Sequence, residues 1–140
     1  MRGDQKLALL ATVPLFARLR GRELERVGQL AEEIDVPAQR VLIRQGAIGH
    51  EFFVIVDGRV RVERDGKVLN TRGPGEFVGE IALIDERPRL ATVTTETPCR
   101  LLVLGHREFH TLLAEQPDIQ LQVLKALAER LRDLVPDRVD

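Results

Sequence analysis

EFVGEIALIDERPRLATV, residues 76–93, is the stretch on which the reading of the fold turns. On both sides of it the apolar residues keep a period of two. Val54 and Val56, Val60 and Val62, and Val93 between its threonines recur at every second position, as half-buried strands require. Inside 76–93 that alternation lapses. Ile81 to Ile84 is too short for an ordinary helix and carries charge on both flanks, so the segment reads as one helical turn set between two strands.

Turn signals punctuate the rest of the middle zone: Gly46 and Gly49, Asp57-Gly58, Asp65-Gly66, Gly73-Pro74-Gly75 and Thr97-Pro98. They recur at roughly 8–12 residues, the spacing of an antiparallel sandwich, barrel or jelly roll. Asp-Gly pairs suit tight hairpins, because glycine accepts a positive φ.

Helical periodicity brackets this zone. Leu7, Leu10, Ala11 and Leu15 form one apolar face, interrupted at Pro14; Leu24, Val27, Leu30, Ala31 and Ile34 form a second. After the strands, Arg107 to Glu115 reads as a short helix, and Pro117 opens a longer one, as proline does at a first helical position. On that last helix Leu121, Leu124, Ala128, Leu131 and Val135 recur at three- and four-residue steps, widened by Leu127 and Leu134. The expected organisation is one mainly β domain over 1–140, with helices in 4–34, strands in 35–104 and helices in 106–135.

Composition narrows the function classes. Of 140 residues, 44% are hydrophobic and 31% charged, which suits a soluble globular domain with a real core. Aromatics are only 4%, with no Trp or Tyr, so stacking platforms for bases are not expected. A net charge of -1 gives no broad positive field for direct nucleic-acid binding. The N-terminal apolar stretch is broken by Pro14, and no other segment approaches membrane length, so neither a membrane partner nor a secretory signal is expected. The single cysteine, Cys99, suits a reducing cytoplasm and reads as a small packed residue. His106 and His110 have a spacing that can chelate zinc, but no third ligand is evident, and no metal is expected. With no serine in the chain and only three histidines, neither a serine nucleophile nor a cupin-like metal centre is supported.

The chemistry concentrates in the odd segment. The first amides of a helical turn lack internal partners and present partial positive charge to an anion. Gly79 lets a ligand approach the backbone, and Arg89 supplies a fork of donors suited to phosphate. Glu80 would repel phosphate; its useful role is accepting from a sugar hydroxyl. Together these residues describe a site for a phosphate joined to a ribose. The plainer reading makes Glu80 a solvated acid near a helix start and Arg89 a surface ion pair with Asp85 or Glu86, with Arg87 left in solvent.

At these residues the sequence resembles the cyclic-nucleotide-binding domain of catabolite activator proteins, regulatory subunits of cAMP-dependent kinase and cyclic-nucleotide-gated channels. The family's phosphate-binding cassette stands here as Gly79-Glu80-Ile81-Ala82-Leu83 and Arg89-Leu90-Ala91-Thr92-Val93, with the family's nine-residue step from acid to arginine. The resemblance extends over nearly the whole chain, through Val41–Gly46 and Phe52–Gly58. It implies an antiparallel, jelly-roll-like β-roll with N-terminal helices and a C-terminal helical lid. It further implies a non-catalytic sensor whose ligand contacts come from Val78, Gly79, Glu80, Ile81, Ala82, Arg89, Leu90 and Ala91. Glu80 would take the ribose 2′-hydroxyl, Arg89 the cyclic phosphate, and amides of Ile81, Ala82 and Ala91 would complete the cradle; Arg130 lies where some members engage the cassette acid. Leu90 cannot donate to a guanine, so cAMP is expected ahead of cGMP. Leu127, Leu131, Leu134 and Val135 would form an aliphatic lid. The expected partners are the nucleotide, a second copy through the last helix, and an effector protein or output domain. The alternative is a cassette that no longer binds nucleotide and serves as an interaction or dimerisation module.

Overall fold

A computed structural model describes residues 1–134. The chain runs α1 (Gly3–Ala11), a 3-10 turn (Pro14–Phe16), α2 (Gly21–Leu30), β1 (Glu32–Val36), β2 (Val41–Ile43), β3 (Glu51–Asp57), β4 (Val60–Arg64), β5 (Lys67–Arg72), β6 (Phe77–Val78), a second 3-10 turn (Glu80–Leu83), β7 (Thr92–Thr95), β8 (Cys99–Gly105), α3 (His106–Glu115) and α4 (Pro117–Leu134). Among the described residues, eight strands form two antiparallel four-stranded sheets, ordered β1-β8-β3-β6 and β2-β7-β4-β5.

The period of two in β3 explains the layering. Phe52 and Val54 pack toward the helices, in one cluster with Phe16, Leu102, Leu104 and Phe109. Phe53 and Ile55 point the other way, into the roll, in a second cluster with Ile43, Val60, Val62, Val78 and Val93. One strand, buried on both faces, thus divides two cores. Phe16 sits edge-on to Phe52 and Phe109, at 6.1 and 5.6 Å between ring centres, and fixes the helices on the outer face of the first sheet. Each of these rings, fully buried, contributes about 1.5–3 kcal/mol of transfer free energy.

One boundary and two placements differ from the expectation. The helical zone placed at 4–34 ends at Leu30, and Glu32–Val36 is strand β1, paired along its length with β8. Ile34, expected on a helix face, therefore packs against the interior of the roll. Glu-Glu-Ile-Asp-Val satisfies both periods, and the exposed edge of β8 decides between them. Leu15, assigned to the first helix face, is buried in the 3-10 turn after Pro14. On α4 the packed face is Ile119, Val123 and Ala126, whereas Leu121, Leu124, Leu131 and Leu134 are exposed. The apolar stripe read from the sequence is thus mainly an outward one; Val135 lies outside the described residues. Cys99 is buried, as a packed residue should be.

Candidate functional site: a cradle around Glu80 and Arg89

Gly79 makes the site possible. It takes φ +81° at the start of the 3-10 turn, a left-handed conformation that L side chains rarely adopt. A Cβ there would stand 2.6 Å from Arg89 Nη1 and 3.1 Å from the Glu51 carbonyl oxygen. The turn is anchored from below by Leu83, fully buried among the helix-side residues, and by Ala82. Its Ala82 amide donates to the Gly79 carbonyl at 3.1 Å, so this group, expected to face phosphate, is engaged inside the turn.

Arg89 is held from two sides. Its amide donates to Ala47 and its carbonyl accepts from Gly46, both at 2.8 Å, while Gly49 donates to the Arg87 carbonyl at 3.1 Å. This clamp between residues 46–49 and 87–89 lays the Arg89 side chain over Gly49, where a Cβ would meet Nε at 2.5 Å. Arg89 Nη2 donates to the Glu51 carbonyl, and neither Asp85 nor Glu86 is its partner. Burial lowers its pKa from the ordinary arginine value, and Glu51 opposes that shift. The guanidinium remains charged in any case. Arg87 is exposed.

Glu80 is 4% exposed. Its Oε1 is paired with Arg130 Nη1 from α4, so the acid of the cassette and the last helix are in direct contact. Its Oε2 is buried with no hydrogen-bond partner among the described residues. A buried acceptor left unmatched costs about 1–3 kcal/mol, so this oxygen marks a place where a donor belongs. Val78, Gly79, Glu80, Ile81, Ala82, Arg89, Leu90 and Ala91 all border one cavity of about 690 Å³, closed at one side by Arg130 and floored by Ile43, Val62 and Val93. Leu90 is 72% exposed and stands at the rim, where its carbonyl accepts from Arg64 at 3.0 Å. Ile81, at 53% exposure, forms the rim on the other side.

A larger cavity, about 1,010 Å³, opens beside α3 and gathers all three histidines. His50 Nδ1 contacts Glu86, His106 Nε2 lies 3.2 Å from the same carboxylate, and His110 stacks on His106 at 4.0 Å. The hydrogen bond from His50 holds the Glu86 carboxyl below its ordinary value. No group of three or more His, Cys, Asp or Glu is arranged to hold a metal among the described residues.

The sequence missed three participants. Gly49 reads as one more turn glycine, and its contact with Arg89 is forty positions away in the chain. Glu51 takes part through its backbone carbonyl, which no side-chain pattern encodes. Arg72 on β5 lines the cavity, but a lone arginine in a strand carries no motif.

Comparison with known proteins relates the sequence and the fold to a family. The cyclic nucleotide-binding domain family matches residues 33–116, more than half of the chain. A cyclic nucleotide-gated potassium channel of Rhizobium etli is 38% identical over 122 residues, which are 87% of this chain and 34% of the channel. The chain thus spans about a third of that relative's length. Among solved structures, the N-terminal domain of a transcriptional regulator from Streptomyces coelicolor superposes with a TM-score of 0.83 at 32% identity, covering 94% of this chain and 95% of that one. The regulatory domain of Toxoplasma gondii PKA with cAMP gives 0.72 at 32% identity, over 78% and 43% of the two chains.

Proposed function

The chain belongs to the cyclic nucleotide-binding domain family, and on that premise we propose that it is a non-catalytic, cytoplasmic sensor domain whose ligand is cAMP. The observation that carries the reading is Glu80 Oε2, buried and without a partner among the described residues, in the cavity shared with Arg89. A ribose 2′-hydroxyl is a donor that would satisfy that oxygen. The cyclic phosphate would then lie against Arg89, whose guanidinium keeps donors beyond the one given to Glu51, with Gly79 leaving the backbone open to it. Val78, Ile81, Ala82, Leu90 and Ala91 would supply the walls and rim.

Contact between Glu80 and Arg130 supports a route for the signal. A ligand that engages Glu80 changes what Arg130 holds, and α4 moves or tightens with it. The ligand shifts this equilibrium only by its difference in affinity for the two arrangements. The exposed leucines of α4 would face a second copy or an effector. Exposure of Leu90 at the rim supports this reading over the alternative of a cassette that serves as an interaction or dimerisation module.

The test pairs Glu80→Gln with 2′-deoxy-cAMP in calorimetry. Wild type should bind 2′-deoxy-cAMP about 10–100-fold more weakly than cAMP, the range of a hydrogen bond to a charged group. Glu80→Gln should lose a similar factor for cAMP and show little further loss with the deoxy ligand. A full and independent loss from each change would remove Glu80 from the ribose.

A further inference from the structure

We infer that His106, the first residue of α3, positions the cassette turn and couples nucleotide binding to the uptake of a proton. The inference rests on the cyclic-nucleotide reading above. α3 packs directly on the turn Glu80–Leu83. From there His106 Nδ1 meets the Ala82 carbonyl at 2.6 Å, and Nε2 lies 3.2 Å from a carboxylate oxygen of Glu86. A carbonyl and a carboxylate only accept, so both ring nitrogens face acceptors. A neutral imidazole has one N–H and satisfies one of them; the imidazolium has two and satisfies both. The proton therefore decides whether His106 spans the segment 82–86 or holds it at one end. The His106 side chain is only 16% exposed, so water is a poor substitute for the lost contact.

The charges around the ring are mixed. The cavity beside α3 gathers Glu32 of β1, Glu51 of β3, Glu86 and Glu108 of α3. Against them stand Arg107, His50 and His110, the last stacked on His106 at 4.0 Å between ring centres. The N-terminus of α3 adds partial positive charge. Among the described residues, α2, β8 and α4 bring no charged side chain to this cavity. Glu86 is in direct contact with Nε2. The hydrogen bond from His50 holds the Glu86 carboxyl below its ordinary value, and the charge of His106 adds to this against desolvation. Glu86 is thus a carboxylate wherever a histidine titrates.

Coupling to the ligand follows from where the turn lies. Gly79 and Glu80 present one side of it to the nucleotide cavity, and the Ala82 carbonyl presents the other to α3. A molecule whose turn has left this arrangement lacks the ligand contacts. Nucleotide and proton thus favour the same arrangement, and each raises the affinity of the protein for the other. Binding strengthens as the pH falls through the histidine range and weakens as it rises.

The experiment is calorimetric titration with cAMP at about pH 6, 7 and 8, in buffers of different ionisation enthalpy. It compares wild type, His106→Asn, His106→Leu and His110→Asn, each first checked by its melting temperature. Neither the phosphodiester nor the adenine of cAMP changes charge in this range, so the protons counted belong to the protein. Wild type should bind about three- to tenfold more tightly at the lowest pH than at the highest, the range of one hydrogen bond, with net proton uptake. His106→Asn keeps a neutral donor for Ala82 and does not titrate. It should bind at every pH as wild type does at the highest, without that uptake. His106→Leu removes both contacts and should bind more weakly still; if it does not fold, His106→Asn carries the test. His110→Asn should keep the wild-type pH dependence, and its loss there would assign the proton to His110 and overturn the inference. Affinity independent of pH in wild type, or proton uptake that persists in His106→Asn, overturns the inference and leaves the receptor reading intact. Failure of wild type to bind cAMP at any pH overturns both.

Discussion

Two residues decide what the cavity can hold. Glu80 is a buried acid with one oxygen committed to Arg130 and the other unmatched, and Arg89 is a cation lying across two glycines. Gly79 is where they meet, so its substitution is informative. Gly79→Ala would add the strain of a left-handed alanine, about 1–2 kcal/mol, and push Arg89 aside. Gly66, at φ +79° with open space around it, is the control. Gly66→Ala should lower stability by a similar amount and leave nucleotide affinity unchanged, whereas Gly79→Ala should lose both. Urea denaturation and calorimetry separate the two effects. At this scale the sequence was most readable, because glycine, acid and arginine stand at a fixed spacing in one segment. Gly49 and the Glu51 carbonyl escaped because they reach Arg89 only through the β2–β3 loop folding back, a contact with no local signature.

Elements were legible by type and less so by facing. The antiparallel strands, the single turn at Ile81 and the proline-started last helix follow from periodicity and punctuation. The segment 32–36 did not, since Glu32–Val36 fits a helix or a strand until β8 offers it an edge. On α4 the stripe of leucines and the packed face are different faces. Hydrophobicity alone gives the larger residues the core, but the 3-10 turn at Pro14–Phe16 receives α4, with Arg18 tying it through Gln122 at 3.1 Å and Glu129 at 2.5 Å. These contacts orient Ile119, Val123 and Ala126 inward. Val123→Asp should therefore destabilise the fold by about 3 kcal/mol or more, as a charge placed in an apolar site does. Leu124→Asp should leave the denaturation midpoint within about 0.5 kcal/mol and act only on self-association, read by light scattering. A large stability loss in Leu124→Asp would mean that α4 packs with the other face.

Across the whole molecule, the cassette is where the two cores and the flanking helices converge. Leu83 roots the turn in the helix-side core, the roll supplies the floor of the cavity, and Arg130 closes it from α4. Glu86, just beyond the turn, adds a second tie, to His50 before β3 and to His106 on α3. Because its folded pKa lies below the ordinary 4.5, its contribution is present above about that pH and is lost as the pH falls through the lower folded value. The site is exposed, so the effect is small and salt-sensitive. Glu86→Gln should be less stable than wild type at pH 7, with the gap closing as both are taken below pH 4.5. A constant gap from pH 7 to pH 3 would contradict this.

Joining cores, cassette and last helix in one site is what a receptor for a small anionic ligand requires, and one titration bears on that directly. Purified protein is titrated with cAMP by calorimetry, beside Arg89→Ala. Saturable binding by wild type, weakened by roughly 30-fold or more in Arg89→Ala, is the expected result, corresponding to about 2–3 kcal/mol for a charge-assisted contact. No heat of binding in wild type, or binding of equal strength in the variant, would contradict the assignment of this cavity to a cyclic nucleotide.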